Sequence, residues 1–136
     1  MIKKNDKIFV AGHNGLVGSA VIKKFKKNHF TNIITAKRNK LDLFNQIKVN
    51  NFLRKYKPKM VILVAAKVGG IKANNKYRAD FIRENLQIQL NVIHSCHINN
   101  INNLIFLGSS CVYPKKSKIP IKEEYLLLVK LEVTNE

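Results

Sequence analysis

Lys7–Val21, KIFVAGHNGLVGSAV, constrains this chain more than any other stretch, because three glycines spaced Gly12-x-x-Gly15-x-x-Gly18 stand between a strand-like run and a helix-like one. Ile8, Phe9, Val10 and Ala11 have the apolar, β-rich character of a short buried strand. Glycine then permits positive φ and close backbone approach, and Ala20 and Val21 resume an apolar stripe. Where a helix starts directly after a strand, its free N–H groups and the positive end of its dipole face the space beyond the strand, which is an anion site. A diphosphate suits it: Gly12 makes the turn, Gly15 lets the backbone approach the pyrophosphate, and Gly18 lets the helix pack tightly on the strand. The spacing alone also describes an ordinary strand-to-helix turn. The setting, after a strand and before a helix, is the one the phosphate reading requires.

The rest of the chain repeats the alternation. A helix is expected over about Leu16–Asn28, a second strand over Asn32–Ala36, a helix over Phe44–Tyr56, a strand over Lys59–Ala66, a long helix over Ala79–Asn99 and a fourth strand over Leu104–Gly108. KMVILVAA (Lys59–Ala66) is nearly unbroken in its apolar character, as a strand buried on both faces of a parallel sheet should be. This order predicts an α/β fold, a Rossmann-like doubly wound parallel sheet of about four strands, incomplete on its far side. One domain is expected over 1–136. The long helix carries Phe81, Ile82, Leu86, Leu90 and Ile93 as a stripe, with Ile88, Val92 and Ile98 off it. A helix apolar on two sides needs two neighbours, so the sheet is expected to cover one face and a partner subunit the other.

Candidate site residues fall at the ends of these strands. After the second strand come Lys37 and Arg38 with no acid, and in a dinucleotide fold a basic residue there accommodates a ribose 2′-phosphate where an acid would bind a free hydroxyl. The choice is therefore NADP over NAD, unless the pair is only a solvated loop. Asp42 either caps the next helix or reaches the adenine amino group. Ala65 and Ala66 leave room at the carboxyl end of the third strand, where open α/β sheets place a ligand.

Composition narrows the classes. The 136 residues carry a net charge of +17, with 25 basic against 8 acidic side chains. Only Arg38, Arg54, Arg78 and Arg83 of the basic residues are arginine, and the lysines are scattered among Asn and Ile, so the charge is read as compositional drift and nucleic acid is not expected as a partner. Cys96 and Cys111 form no C-x-x-C pair. His94 and His97 lie three apart on the long helix without a carboxylate or Cys partner, so no metal is expected. No run approaches the length of a membrane span, and MIKKNDK has no apolar leader core. The expectation is a soluble, reduced, cytoplasmic protein without a membrane partner.

Read together, AGHNGLVGSA (Ala11–Ala20), VAAKVGGIKANN (Val64–Asn75), ADFIRENL (Ala79–Leu86), LGSSCVYPK (Leu107–Lys115) and KIPIKEEYLL (Lys118–Leu127) resemble the extended short-chain dehydrogenase/reductase family. Within it the closest likeness is to the nucleotide-sugar epimerases and dehydratases, more narrowly to the 3,5-epimerase/4-reductases of GDP-4-keto-6-deoxy-D-mannose. The resemblance implies that Gly12, Gly15 and Gly18 bind the NADP pyrophosphate, Arg38 its 2′-phosphate and Asp42 its adenine edge, with Ala65 and Ala66 lining the cofactor. It implies that Ser109 hydrogen-bonds the keto group of a GDP-sugar, that Cys111 acts as an acid/base in epimerisation, and that the full-length form is a homodimer. A thiol is chemically suited to exchange protons with carbons made acidic by a neighbouring ketone. Without the resemblance, Cys111 reads as a small buried hydrophobe at a strand end, and Ser109 with Ser110 as a polar strand terminus.

The sequence departs from that pattern twice. Asn14 stands where the family commonly has Arg, and no tyrosine is followed four residues later by lysine: Tyr56, Tyr77, Tyr113 and Tyr125 meet Met60, Phe81, Ser117 and Val129. The family continues past the counterpart of Thr134-Asn135-Glu136 into Tyr-x-x-x-Lys and a substrate domain. The chain is therefore expected to be an N-terminal portion, inactive alone; a non-catalytic dinucleotide-binding remnant and another nucleotide-sugar epimerase or dehydratase are the alternatives.

Overall fold

A computed structural model describes residues 1–126 together with 128, 130 and 131. Thr134–Glu136, and Leu127 at the end of KIPIKEEYLL, lie outside the described residues. The elements are β1 (Ile8–Ala11), α1 (Leu16–Lys27), β2 (Ile33–Ile34), α2 (Gln46–Tyr56), β3 (Met60–Leu63), α3 (Ile71–Lys76), α4 (Arg78–Ile98) and β4 (Leu104–Phe106), with 3-10 turns at Ser110–Val112 and Glu123–Tyr125. They fall into two compact units. The first, Met1–Lys67 with Ile82–Leu107, contains the whole sheet; the second is built from Val68–Phe81 and the described residues from Gly108 onward.

The sheet is four-stranded and parallel throughout, in the order β2-β1-β3-β4. Ile8 pairs with Ile33 on one side and Met60 on the other, and Val61 pairs with Leu104. The chain thus leaves β1 in one direction to form β2 and crosses back over β1 to form β3. The doubly wound parallel fold expected from the sequence is the fold observed.

Alternation along the strands divides the core between two faces. Phe9, Ala11, Val61 and Leu63 pack with Val49 and Leu53 of α2 and Ile88, Val92 and Cys96 of α4. Ile8, Val10 and Ile62 point the other way, with Val21, Ile22 and Phe25 of α1 packed against them. Burying each large side chain of this kind contributes about 1.5–3 kcal/mol relative to leaving it in water.

Several expectations are corrected in detail. β2 is confined to Ile33–Ile34 because, at the sheet edge, it is only half-buried and paired on one side. α2 starts at Gln46, not Phe44, because Asn45 is its cap, its side-chain oxygen accepting from the backbone N–H of Lys48 at 2.9 Å. α3 was not expected at all; six residues reading IKANNK are too short to show a period. In α4, Ile82, Leu86, Leu90 and Ile93 of the expected stripe are exposed, and the buried face is Ile88, Asn91, Val92, Ser95 and Cys96. Two polar residues on that face disguise it. Asn91 is satisfied there: its amide donates to the Leu43 carbonyl and its oxygen accepts from Gln87, both at 2.8 Å.

Candidate functional site

The carboxyl ends of β1 and β3 lie side by side where the chain reverses direction across the sheet, the position at which open α/β sheets bind ligands. Gly12 follows β1 with φ of 97°. A Cβ at Gly12 would lie 2.6 Å from the backbone nitrogen of Ala65 and 2.9 Å from the carbonyl carbon of Val64, so only glycine fits there. At Gly18 a Cβ would run into the Gly12 carbonyl oxygen and stand 2.8 Å from its carbon, so α1 sits directly on the turn. Gly15 donates to the Gly12 carbonyl at 3.1 Å and caps α1 without any side-chain hydrogen bond. The opening amides of α1 therefore have neither an intrahelical acceptor nor a side-chain cap, and Leu16 beside them is 90% exposed.

The wall opposite is the segment after β3. Ala65 is half-buried and Ala66 exposed. Asn85 of α4 holds the next residue at both polar atoms, its oxygen accepting from the Lys67 N–H at 2.7 Å and its amide donating to the Lys67 carbonyl at 3.0 Å. The Lys67 ammonium also bonds Glu84 at 2.6 Å.

Beyond β2, the Lys37 carbonyl accepts from the N–H groups of Lys40 and Leu41, both at 2.9 Å, and this turn presents Lys37 and Arg38 to solvent. The Arg38 guanidinium lies 5.3 Å from the centre of the Phe44 ring. Asp42 does not cap α2; its Oδ1 accepts from the Phe44 N–H at 3.1 Å. Arg38 and Phe44 share an open depression of about 450 Å³ with Arg83, Glu84 and Gln87 of α4. Arg83, Glu84, Gln87 and the Asn85 clamp were missed from sequence. The available signal was the scarcity of arginine, which singles out Arg83 together with Arg38, Arg54 and Arg78.

Ser109 and Cys111 belong to the second unit. Ser109 is extended and its Oγ accepts from the Cys111 N–H at 3.1 Å, which starts the 3-10 turn. Both side chains are exposed, so Cys111 is not the buried hydrophobe of the alternative reading. Cys96 is the buried cysteine, and burial pushes its thiol up to about 11. His94 and His97 are exposed on α4, and no group of three potential metal ligands occurs among the described residues. Among those residues no helix is long and apolar enough to cross a membrane.

The pattern of the family described as "NAD dependent epimerase/dehydratase family" matches residues 8–135. The chain belongs to that family. Members similar to it include the putative GDP-L-fucose synthase 2 of Arabidopsis thaliana, 55% identical over all 136 residues, which cover 42% of that protein. GDP-L-fucose synthase of Escherichia coli K12 is 45% identical over 96% of this chain and 40% of its own length. Among solved structures, a GDP-mannoheptose C4 reductase from Campylobacter jejuni with NADP bound superposes with a TM-score of 0.90 at 44% identity, over 98% of this chain and 42% of that one. The chain thus spans about two fifths of the length of the proteins it matches here.

Proposed function

We propose that this chain is the dinucleotide-binding portion of a GDP-L-fucose synthase-like enzyme, an NADP-dependent 3,5-epimerase/4-reductase that converts GDP-4-keto-6-deoxy-D-mannose to GDP-L-fucose. The observation that carries the cofactor assignment is the closed approach of Gly12 to Ala65 at the reversal point of the sheet. A cradle that no Cβ can enter, facing uncapped helix amides, fits a diphosphate. The sugar assignment rests on the family members to which the chain is similar.

In this reading Gly12, Gly15 and Gly18 hold the pyrophosphate, Arg38 binds the 2′-phosphate, Asp42 meets the adenine edge with the carboxylate oxygen not engaged by Phe44, and Ala65 and Ala66 line the site. When bound, NADPH supplies the hydride for ketone reduction. The Ser109 oxygen accepts from Cys111 N–H, which leaves its own proton to donate to the substrate keto oxygen. The exposed Cys111 thiol exchanges protons at the carbons flanking that ketone. We further assign a homodimer, formed through the exposed Ile82, Leu86, Leu90 and Ile93 of α4, a cytoplasmic location, and neither nucleic-acid nor membrane partners.

The test is fluorescence titration of the folded chain with NADPH and NADH. NADPH is expected to bind more tightly, and Arg38→Ala to remove most of the difference. Equal affinity for the two cofactors, or an unchanged preference in Arg38→Ala, would overturn the assignment. The 136-residue chain alone is expected to give no turnover on the 4-keto sugar, because no Tyr-x-x-x-Lys pair is present and a positioned general acid is worth about 10²–10⁴-fold. The second reading is a dinucleotide-binding chain without catalysis. NADPH oxidation and deuterium uptake by a form extended through the pair would separate the two.

A further inference from the structure

Arg83 was not among the residues expected at the site, yet it lines the same depression as Arg38 and reaches it from a different element. Arg38 comes from the turn after β2 and is backed by the Phe44 ring, whose face attracts and orients a guanidinium. Arg83 comes from α4. Among the described residues Glu84 is the one acid lining the depression, and its Oε1 is bonded by the Lys67 ammonium at 2.6 Å. Arg83 approaches that same oxygen only to 3.8 Å, and its side chain is 70% exposed. The single carboxylate is thus already matched by Lys67, and two guanidinium groups face one open space with a surplus of positive charge. Guanidinium is the side chain best shaped for a phosphomonoester, because its fork of N–H groups matches paired phosphate oxygens.

We propose that Arg83 is a second specificity-determining residue for the cofactor, binding the ribose 2′-phosphate together with Arg38 across this depression. The proposal rests on the NADP reading and adds a residue to it. α4 is anchored by Asn85 to the segment after β3 and by Ile88 and Val92 to the core, so it supplies a fixed support for Arg83 where Arg38 stands on a turn.

The test measures affinities of the 136-residue chain for NADPH and NADH, and for 2′,5′-ADP, 5′-AMP and inorganic phosphate as competitors, in the wild type, Arg38→Ala, Arg83→Ala and Arg83→Lys. Arg83→Ala is expected to lower the NADPH-over-NADH preference about tenfold with NADH affinity held within about twofold, since only the charge-assisted contact to the extra phosphate is lost. Competition by 2′,5′-ADP should weaken in parallel and that by 5′-AMP should not. Arg83→Lys should keep part of the preference, because charge survives and the paired geometry does not. Displacement by inorganic phosphate as effective as that by 2′,5′-ADP would mean a general anion site and would overturn the proposal. So would an unchanged preference in Arg83→Ala, or equal losses for NADPH and NADH, which would make Arg83 a structural partner of Glu84. If the wild type prefers NADPH and Arg38→Ala abolishes the preference while Arg83→Ala leaves it unchanged, only this inference fails. If the folded wild type shows no preference or binds neither cofactor, the cofactor reading fails and takes the inference with it.

Discussion

Gly12→Ala tests the cradle directly. The added methyl meets the Ala65 nitrogen at 2.6 Å, the Ala65 Cα at 2.8 Å and the Val64 carbonyl carbon at 2.9 Å, and all three are backbone atoms in the segment following the central strand β3. No side chain can swing aside to relieve the contact. The residue would also have to keep φ of 97°, which costs an L residue about 1–3 kcal/mol. Overpacking against fixed atoms adds about 1–3 kcal/mol, giving a loss of about 2–6 kcal/mol against the 5–15 kcal/mol typical of a domain. Urea denaturation followed by circular dichroism reads this as a lowered midpoint at unchanged slope. Gly108→Ala is the matched control, because a Cβ there has no heavy atom within 4 Å, and its effect should stay within about 0.5 kcal/mol. A loss below about 1 kcal/mol for Gly12→Ala, or a folded variant with unaltered NADPH affinity, would refute the argument that the turn is built around a missing side chain.

Asn91→Ala should cost about 1–3 kcal/mol in the same assay, because it leaves the Leu43 carbonyl without its donor in the core. Cys111 should react with a thiol reagent in the native protein while Cys96 reacts only on unfolding. Because burial raises the Cys96 thiol from 9.0 to about 11, its proton is kept in both states below pH 9 and only in the folded state between the two values. Relative to Cys96→Ala, stability should therefore be constant below pH 9 and fall by about 3 kcal/mol as pH rises to 11, read by urea titrations across that range. Leu90→Lys, at a side chain 63% exposed, should change stability by less than about 0.5 kcal/mol while reducing self-association of the full-length form by sedimentation; an unaffected dimer would count against the α4 interface.

What was legible in the sequence was whatever depends on local chemistry. The glycines between β1 and α1, the unbroken apolar run of β3 and the length of α4 each carry their own signature, and together they fix the fold. The misread features depend on partners far along the chain. Asn91 and Ser95 lie on the buried face of α4, where the first bonds the Leu43 carbonyl, and no periodicity count assigns an asparagine to a core. Leu86 and Leu90 looked like the core face for the converse reason. Asn45 capped α2 in place of Asp42 because two candidate caps lay within one turn of chain and only the backbone path decides between them. Arg83 joins Arg38 only once α4 and the turn after β2 are brought to one depression.

The strand order has a consequence for the time at which the cradle comes into being. β1 lies between β2 and β3, so the neighbour made first, β2, is not the one that walls the glycine turn. A nascent chain that has emerged only as far as α2 can form β1, α1 and β2, yet Gly12 then faces solvent instead of Ala65. Ile8 must wait for Met60 and Gly12 for Ala65, and pairings between residues so distant in sequence form late because their loops must close first. The close approach of Gly12 to Ala65 therefore does not exist until β3 has been made, and whatever depends on it, the proposed cofactor binding included, arrives only with β3.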